Sequence, residues 1–336
     1  MNARIGILGA GGWGTALAVS LQKNGHHVSI WEFDEKNARK LQSQRKNKYF
    51  LPGIQIPRDI VITSSLLDAA TDKEVLLIAL PSHVLRAVGE QLAGIPLGDA
   101  ILVSCSKGIE NYSLLRMTEV LHQTLPEMDP DRILALSGPS HAEEVARDIP
   151  TLMVVAGDDM IATQKTQEIF MNPALRVYTS EDVIGVELGG ALKNIIAIAA
   201  GISDGVGCGD NTKAALMTRG MVEITRLGTA MGASPLTFAG LSGMGDLFVT
   251  CMSRHSRNRF VGEQIGRGKS LEKVLSNMRM VAEGVRTTQS VIDLSRKHDV
   301  QMPISQEVFR VLFEKKDPKH AVADLMTRDP KSEDWG

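Results

Sequence analysis

The sequence predicts an α/β protein, with an N-terminal doubly wound sheet followed by an all-α C-terminal domain. Two patterns carry this expectation. From the N-terminus to about residue 180, short β-rich apolar runs alternate with helical patterns, as in a parallel sheet covered by helices on both faces. Beyond about Ser180 the β signal fades and long helical patterns take over. Length agrees, because 336 residues exceed the usual size of a single core. One domain is expected over residues 1–180 and a helical one over 181–336.

In chain order, the strand candidates are Arg4 to Leu8 (RIGIL), His27 to Trp31 (HVSIW), Glu74 to Leu80 (EVLLIAL), Ala100 to Ser104 (AILVS), Ile133 to Ser137 (ILALS) and Thr151 to Ala156 (TLMVVA). Several are continuously apolar rather than alternating, as parallel strands buried on both faces require. Helices are expected between them over Trp13 to Asn24, with Gly25 closing the C-terminus, and over Asp34 to Arg45. In the second half the helical patterns are Glu181 to Ile202, Thr212 to Met231, Ser256 to Ile265, Leu271 to Met278, Val285 to His298 and Ser305 to Phe313. No long low-complexity linker separates the halves, so direct packing with a ligand cleft between them is the expectation.

Charge and composition exclude several function classes. With 37 Lys and Arg against 39 Asp and Glu, the net charge of −2 gives no basis for a nucleic-acid or other polyanion binder. Cys105, Cys208 and Cys251 lie far apart with no C-x-x-C spacing. That disfavours a disulfide framework and a structural zinc site, and suits a reducing, cytoplasmic setting. The N-terminus runs from a short apolar stretch straight into glycines, unlike a signal peptide, and no run approaches the roughly 18–20 apolar residues that span a bilayer. Neither a metal nor an integral membrane segment is expected. The unusual numbers are 31 Gly against 8 Phe, 3 Trp and 3 Tyr. Clustered glycine permits close backbone approach, so the clusters are where ligands are sought.

The first cluster, Gly9-Ala10-Gly11-Gly12-Trp13-Gly14, reads G-x-G-x-x-G directly after a predicted strand and at the opening of a predicted helix. That placement makes it the fingerprint of a Rossmann-like dinucleotide site. Gly9 would make the tight turn, Gly11 would let backbone approach a pyrophosphate, and Gly14 would permit close packing of helix on strand. The helix start offers unpaired N–H groups and partial positive charge to phosphate. At the end of the second strand stands Glu32, followed by Phe33. A carboxylate there accepts from the adenine-ribose hydroxyls of NAD and repels the 2′-phosphate of NADP, although Lys36, Arg39 and Arg45 partly offset that repulsion. The plainer alternative is that Glu32 only faces solvent.

The remaining candidates are lysines, a carboxylate and a basic helix start. Lys107 follows the Ala100 to Ser104 strand, at the edge where open α/β sheets bind ligands. Gly138 and Ser140 sit at another strand end, where Ser140 alone reads best as a helix N-cap. Lys193 lies in a long helical pattern with Gly189, Gly190 and Ala197 on its own stripe. Such a stripe admits either a cofactor or another helix. A lysine near a nicotinamide can give its proton to a carbonyl oxygen as hydride reaches carbon. Gly240 to Gly245 form a second glycine-dense loop ending in Asp246. Ser256, Arg257 and Asn258 then open a helix whose N–H groups and guanidinium suit a phosphate monoester, or are simply a solvated basic turn.

Together these segments closely resemble the bacterial NAD(P)-dependent glycerol-3-phosphate dehydrogenases over nearly the whole chain. The matching stretches are GAGGWGTALA, NKYFLPG around Phe50, PSH at Pro81 to His83, SKG at Lys107, SGPSHAEE at Gly138, GVELGGALKNIIAIAAG around Lys193, GLSGMGDL at Asp246, SRNR at Arg257 and VAEGVRTT at Glu283. The resemblance implies reversible hydride transfer between NAD(P)H and dihydroxyacetone phosphate, giving sn-glycerol 3-phosphate for glycerophospholipid synthesis. It also implies Lys193 as the catalytic proton donor and acceptor. Lys107, Gly138, Ser140, Lys193, Asp246, Ser256, Arg257 and Asn258 match its substrate positions. Gly12, Trp13, Phe33, Phe50, Lys107, Ala142, Arg257, Val281 and Glu283 match its cofactor positions. A homodimer is implied as well.

One departure bears on the cofactor. Many members carry Arg or His where this chain has Phe33, which stacks on adenine but cannot pair with a phosphate, so NAD is the expected preference over NADP. The competing expectation is a related β-hydroxyacid dehydrogenase, since a Gly-Gly-x-x-Lys-Asn helix resembles that superfamily too. The basic start at Arg257, with the Gly138 and Asp246 segments, argues for the phosphorylated substrate. A nucleotide sensor without catalysis would have no need for Lys107, Lys193 and Asp246 together.

Overall fold

Strands Arg4–Leu8 (β1), His27–Trp31 (β2), Val61–Thr63 (β3), Val75–Ile78 (β4), Ile101–Ser104 (β5), Ile133–Ser137 (β6), Thr151–Ala156 (β7) and Leu175–Ser180 (β8) form one sheet, in a computed structural model that describes residues 2–278, 280–330 and 332–333. The strand order is β3-β2-β1-β4-β5-β6-β7-β8. All neighbours are parallel except β6 and β7. The order reverses between β1 and β4, which is the switch point of a Rossmann-type sheet. β4 and β5 are buried along their whole length, as their continuous apolar runs predict.

Two strands escape the apolar-run criterion. β3 is only three residues long, and β8, LRVYTS, alternates buried and exposed positions before ending half-buried. β4 is also shorter than the run Glu74 to Leu80. The helix Gly12–Lys23 ends as its glycine predicts: Gly25 has φ +87° and donates to Gln22 O, and His26 N donates to Leu21 O. This pair of bonds is a Schellman closure. Helix Glu35–Gln44 starts on Asp34, whose carboxylate accepts from Asn37 N at 2.7 Å.

The chain divides into two compact units, Met1–Lys107 with Arg116–Val186, and Gly108–Leu115 with Glu187–Gly336. The division falls inside helix Val183–Val206 rather than at residue 180, and Gly108–Leu115 belongs with the second unit. In the second unit that helix packs backbone to backbone on helix Arg257–Gly266. A Cβ on Gly201 would lie 2.0 Å from Arg259 O, and one on Gly262 would lie 2.0 Å from Ile198 O. Gly205 and Gly266 close the next turn in the same way, so much of the glycine surplus serves helix contact rather than ligand contact. Val183–Val206 is, among the described residues, the one unbroken helix long and apolar enough to cross a membrane, beyond what the sequence alone suggested. Of its most apolar stretch, 89% is buried inside the protein, as in a core helix.

Candidate active site

In the first unit the glycine turn has both tight and open positions. Gly9 has φ +112°, and a Cβ there would meet Ala79 O at 2.6 Å. A Cβ on Gly14 would meet Gly9 O at 2.0 Å and one on Gly12 would meet Phe50 O at 2.5 Å. At Gly11, in contrast, a Cβ would have nothing within 4 Å. Gly11 is also the N-cap of helix Gly12–Lys23 and makes no side-chain capping bond. Open space beside an uncapped helix start is what a pyrophosphate requires.

Asn47, which sequence reasoning did not single out, locks this turn. Its Nδ2 donates to Ala10 O at 2.8 Å and to Thr15 Oγ1 at 2.9 Å, and its Oδ1 accepts from Phe50 N at 3.3 Å. One buried amide therefore ties Phe50 to the glycine turn. Trp13 and Ala142 meet in a cluster with Ala16, Leu51 and Ala146. Phe33 stands 80% exposed. Glu32 does not face solvent: it is 6% exposed, and its carboxylate accepts from Asp34 N at 3.1 Å and Asn37 Nδ2 at 2.9 Å. Burial pushes its pKa above the usual carboxylate value, against the two hydrogen bonds and with a smaller push from Asp34.

At the ends of β5 and β6, Lys107, Gly138 and Ser140 converge on one atom. Lys107 Nζ donates to Gly138 O at 3.1 Å and Ser140 Oγ donates to the same oxygen at 2.9 Å. Gly138 has φ +131°, which only glycine adopts readily. Ser140 is thus not the N-cap expected from sequence. His141 holds that position, before helix Ala142–Val145. Ser106 Oγ donates to Leu80 O at 2.6 Å, stitching the end of β5 to the chain leaving β4 beside Lys107. Cys105 is a buried neutral thiol, pushed up to about 12 by burial despite Lys107 and a hydrogen bond from Trp13.

In the second unit Lys193 is 5% exposed and Asp246 1%. Lys193 Nζ donates to Asp246 Oδ1 at 2.5 Å and to Thr250 Oγ1 at 2.6 Å. Thr250 Oγ1 also reaches Asp246 Oδ1 at 3.3 Å. Asp246 and Thr250 lie one turn apart on helix Asp246–Met252 and so share a face. Thr250 carried no motif signal; its i+4 spacing from Asp246 on a helix was the available clue. The expected Gly240 to Gly245 loop is instead a π-helical turn, Leu241–Gly245, running directly into that helix. Its tightness explains the glycines: a Cβ on Gly243 would meet Phe238 O at 2.2 Å, and one on Gly189 would meet Ser242 O at 2.6 Å. The small stripe beside Lys193 therefore admits this turn.

Ser256 caps helix Arg257–Gly266, its Oγ accepting from Arg259 N at 3.2 Å. Arg257 is exposed, and its guanidinium donates to Val281 O at 2.8 Å. Asn258 is buried with both ends of its amide engaged: Nδ2 donates to Asn194 Oδ1 at 2.8 Å, and Oδ1 accepts from Gly284 N at 3.0 Å. Successive residues thereby hold the segment from Val281 to the start of helix Glu283–Lys297, where Glu283 is half-buried. Asp204 accepts from Arg259 at 2.7 Å and Lys213 at 2.5 Å, anchoring the same helix one turn further on.

A family model described as NAD-dependent glycerol-3-phosphate dehydrogenase N-terminus matches residues 4–163, and the C-terminus model of the same family matches residues 182–323. A glycerol-3-phosphate dehydrogenase (NAD(P)+) from Pelotomaculum thermopropionicum is 52% identical over 328 residues, 98% of this chain and 94% of the relative. A second, from Salinibacter ruber, is 51% identical over 335 residues, covering 100% and 97%. Among solved structures, glycerol-3-phosphate dehydrogenase from Coxiella burnetii superposes with a TM-score of 0.93 at 35% identity, covering 97% of this chain and 99% of that one.

Proposed function

The chain belongs to the NAD-dependent glycerol-3-phosphate dehydrogenase family, and from that premise we propose how its own residues carry the reaction. The enzyme catalyses reversible hydride transfer between NAD(P)H and dihydroxyacetone phosphate, giving sn-glycerol 3-phosphate, a precursor of glycerophospholipids. The observation that carries the residue assignment is the buried cluster of Lys193, Asp246 and Thr250.

Reduction of a ketone needs a proton at oxygen as hydride arrives at carbon. When bound, NAD(P)H supplies the hydride. Lys193 Nζ gives the proton in that direction and takes it back in the other. Asp246 and Thr250 hold Nζ in place, and the carboxylate offsets the desolvation that burial imposes on an ammonium. Arg257 and the first amides of its helix take the substrate phosphate, for which the guanidinium exchanges Val281 O for phosphate oxygens. Ser256 and Asn258 shape that helix start. Lys107, with Gly138 and Ser140, is assigned to substrate and cofactor. Gly9, Gly11, Gly12, Trp13, Gly14, Phe50 and Ala142 are assigned to the dinucleotide, as are Val281 and Glu283.

NAD is the preferred cofactor on this reading. Phe33 offers adenine a ring and offers a 2′-phosphate no charge, while Glu32 brings a carboxyl group to the same strand end. The hydrogen bonds it already accepts leave remaining lone pairs for a ribose hydroxyl. A cytoplasmic homodimer is the expected working form. The test follows oxidation of NADH and of NADPH with dihydroxyacetone phosphate, with 3-oxoacids and with no substrate. Turnover with the triose phosphate alone, and higher kcat/KM with NADH, are the expected results. Turnover with 3-oxoacids instead would favour the β-hydroxyacid alternative, and higher kcat/KM with NADPH would overturn the cofactor preference.

A further inference from the structure

Within the second unit, helices Asp210–Ala230, Pro303–Phe313 and Pro318–Met326 line, with the last turns of Val183–Val206, a solvent-open cavity of about 540 Å³. That volume lies in the range of small-molecule pockets, about 300–1,000 Å³. None of the residues assigned to substrate or cofactor lines it. Its walls are aliphatic, with Ile202, Leu216, Val308, Val311 and Leu325 among them and no aromatic ring.

The polar groups in this cavity are chiefly donors. Its lining acids are Glu223, Glu307 and Asp329 and its lining cations Arg219, Arg226 and Arg328. Glu223 is occupied within the fold, its oxygens accepting from Ile304 N at 2.6 Å, Ser305 N at 3.1 Å and Ser305 Oγ at 3.0 Å. Glu307 is paired with Arg310 at 2.7 Å and Lys316 at 2.5 Å, neither of which lines the cavity. Arg226 donates to a neutral acceptor, Gln301 O. Arg219 and Arg328 have no ion-pair partner among the described residues, which leaves exposed Asp329 as the one acid opposing an anion.

We propose that this cavity binds an aliphatic monocarboxylate of medium chain length. The chain packs on the valine, leucine and isoleucine walls, each buried methylene contributing about 0.8 kcal/mol. A carboxylate is an acceptor-only group, the complement of the guanidinium forks of Arg219 and Arg328 at the rim. Ala215 and Arg219 lie one helical turn apart on the lining face, and both are solvent-exposed, so substitutions there leave the core intact.

The test is titration calorimetry of the full chain with decanoate, alongside 1-decanol and acetate. Saturable binding of one decanoate per chain is expected, with the alcohol and the acetate each at least tenfold weaker. Ala215→Phe, which narrows the mouth, and Arg219→Gln, which removes a fork, should each weaken decanoate at least tenfold while reduction of dihydroxyacetone phosphate stays unchanged. Absence of saturation, or equal binding by both variants, overturns the proposal. It also fails if decanoate does not bind and Ala215→Phe lowers the sedimenting mass, because the face then packs against a second copy.

Discussion

Lys193 and Asp246 stand 53 residues apart in the chain, yet Nζ and Oδ1 lie 2.5 Å apart where almost no solvent reaches either group. The same pair on the surface would contribute little. Buried, it makes each charge dependent on the other, because removing one partner leaves an uncompensated ion at a cost of about 3–5 kcal/mol. On the proposed mechanism, stability and proton transfer are thus tied to one contact.

Lys193→Met should lower kcat by at least about 10²-fold, the usual contribution of a positioned general acid, and leave NADH affinity nearly unchanged. Fluorescence titration with NADH and steady-state kinetics separate the two effects. A variant with near-normal kcat would remove Lys193 from the role. Asp246→Ala, which strands the ammonium, should also destabilise the protein by about 3–5 kcal/mol in urea unfolding.

The glycine turn gives a contrast within three residues. Gly11→Ala adds a Cβ into open space at φ −68°, which alanine adopts freely, so thermal stability should barely change. The methyl then stands where pyrophosphate approaches, and KM for NADH should rise about tenfold or more. Gly14→Ala drives a Cβ to 2.0 Å from Gly9 O and should impair folding itself. Equal KM values for Gly11→Ala and the parent enzyme would disconnect the turn from the cofactor.

What the sequence made legible follows from range. The glycine turn, β1, β2 and the Gly25 closure depend on neighbours close in the chain, so local pattern sufficed. β3 and β8 were missed because three residues and an alternating edge segment do not form an apolar run. Asp246 was singled out as the carboxylate ending the second glycine cluster, but Thr250 and Asn47 were not, since their value lies in bonds to Lys193 and Ala10 across the fold. The second glycine cluster was misread as a loop because composition cannot tell backbone closing on a ligand from backbone closing on Phe238.

Arg257 and Asn258 should separate binding from structure. Arg257 is exposed, with its guanidinium on Val281 O, so Arg257→Ala should raise KM for dihydroxyacetone phosphate about tenfold with a smaller loss of stability than Asn258→Ala. Asn258→Ala leaves Asn194 Oδ1 and Gly284 N without their partner, each worth about 1–3 kcal/mol when buried and unsatisfied. Its melting temperature should fall along with its substrate affinity. An unchanged KM for Arg257→Ala would contradict the phosphate assignment.

Glu223 should make stability depend on pH in the direction opposite to a surface carboxylate. Burial raises its pKa from 4.5 to about 7, against hydrogen bonds from Ile304, from Ser305 and the charge of Arg226. In that window the folded chain retains a proton that the unfolded chain has released. Its contribution is therefore fully present below 4.5 and is lost as pH rises to about 7. One such group limits the slope to ~1.4 kcal/mol per pH unit. Urea unfolding of the parent and of Glu223→Gln between about pH 5 and pH 8 isolates it, because every other titrating group is common to both. The parent should lose stability relative to the variant up to about pH 7 and then run parallel. Parallel curves throughout would mean that the three donors at the start of helix Pro303–Phe313 keep Glu223 ionised, so that the cap outweighs its burial.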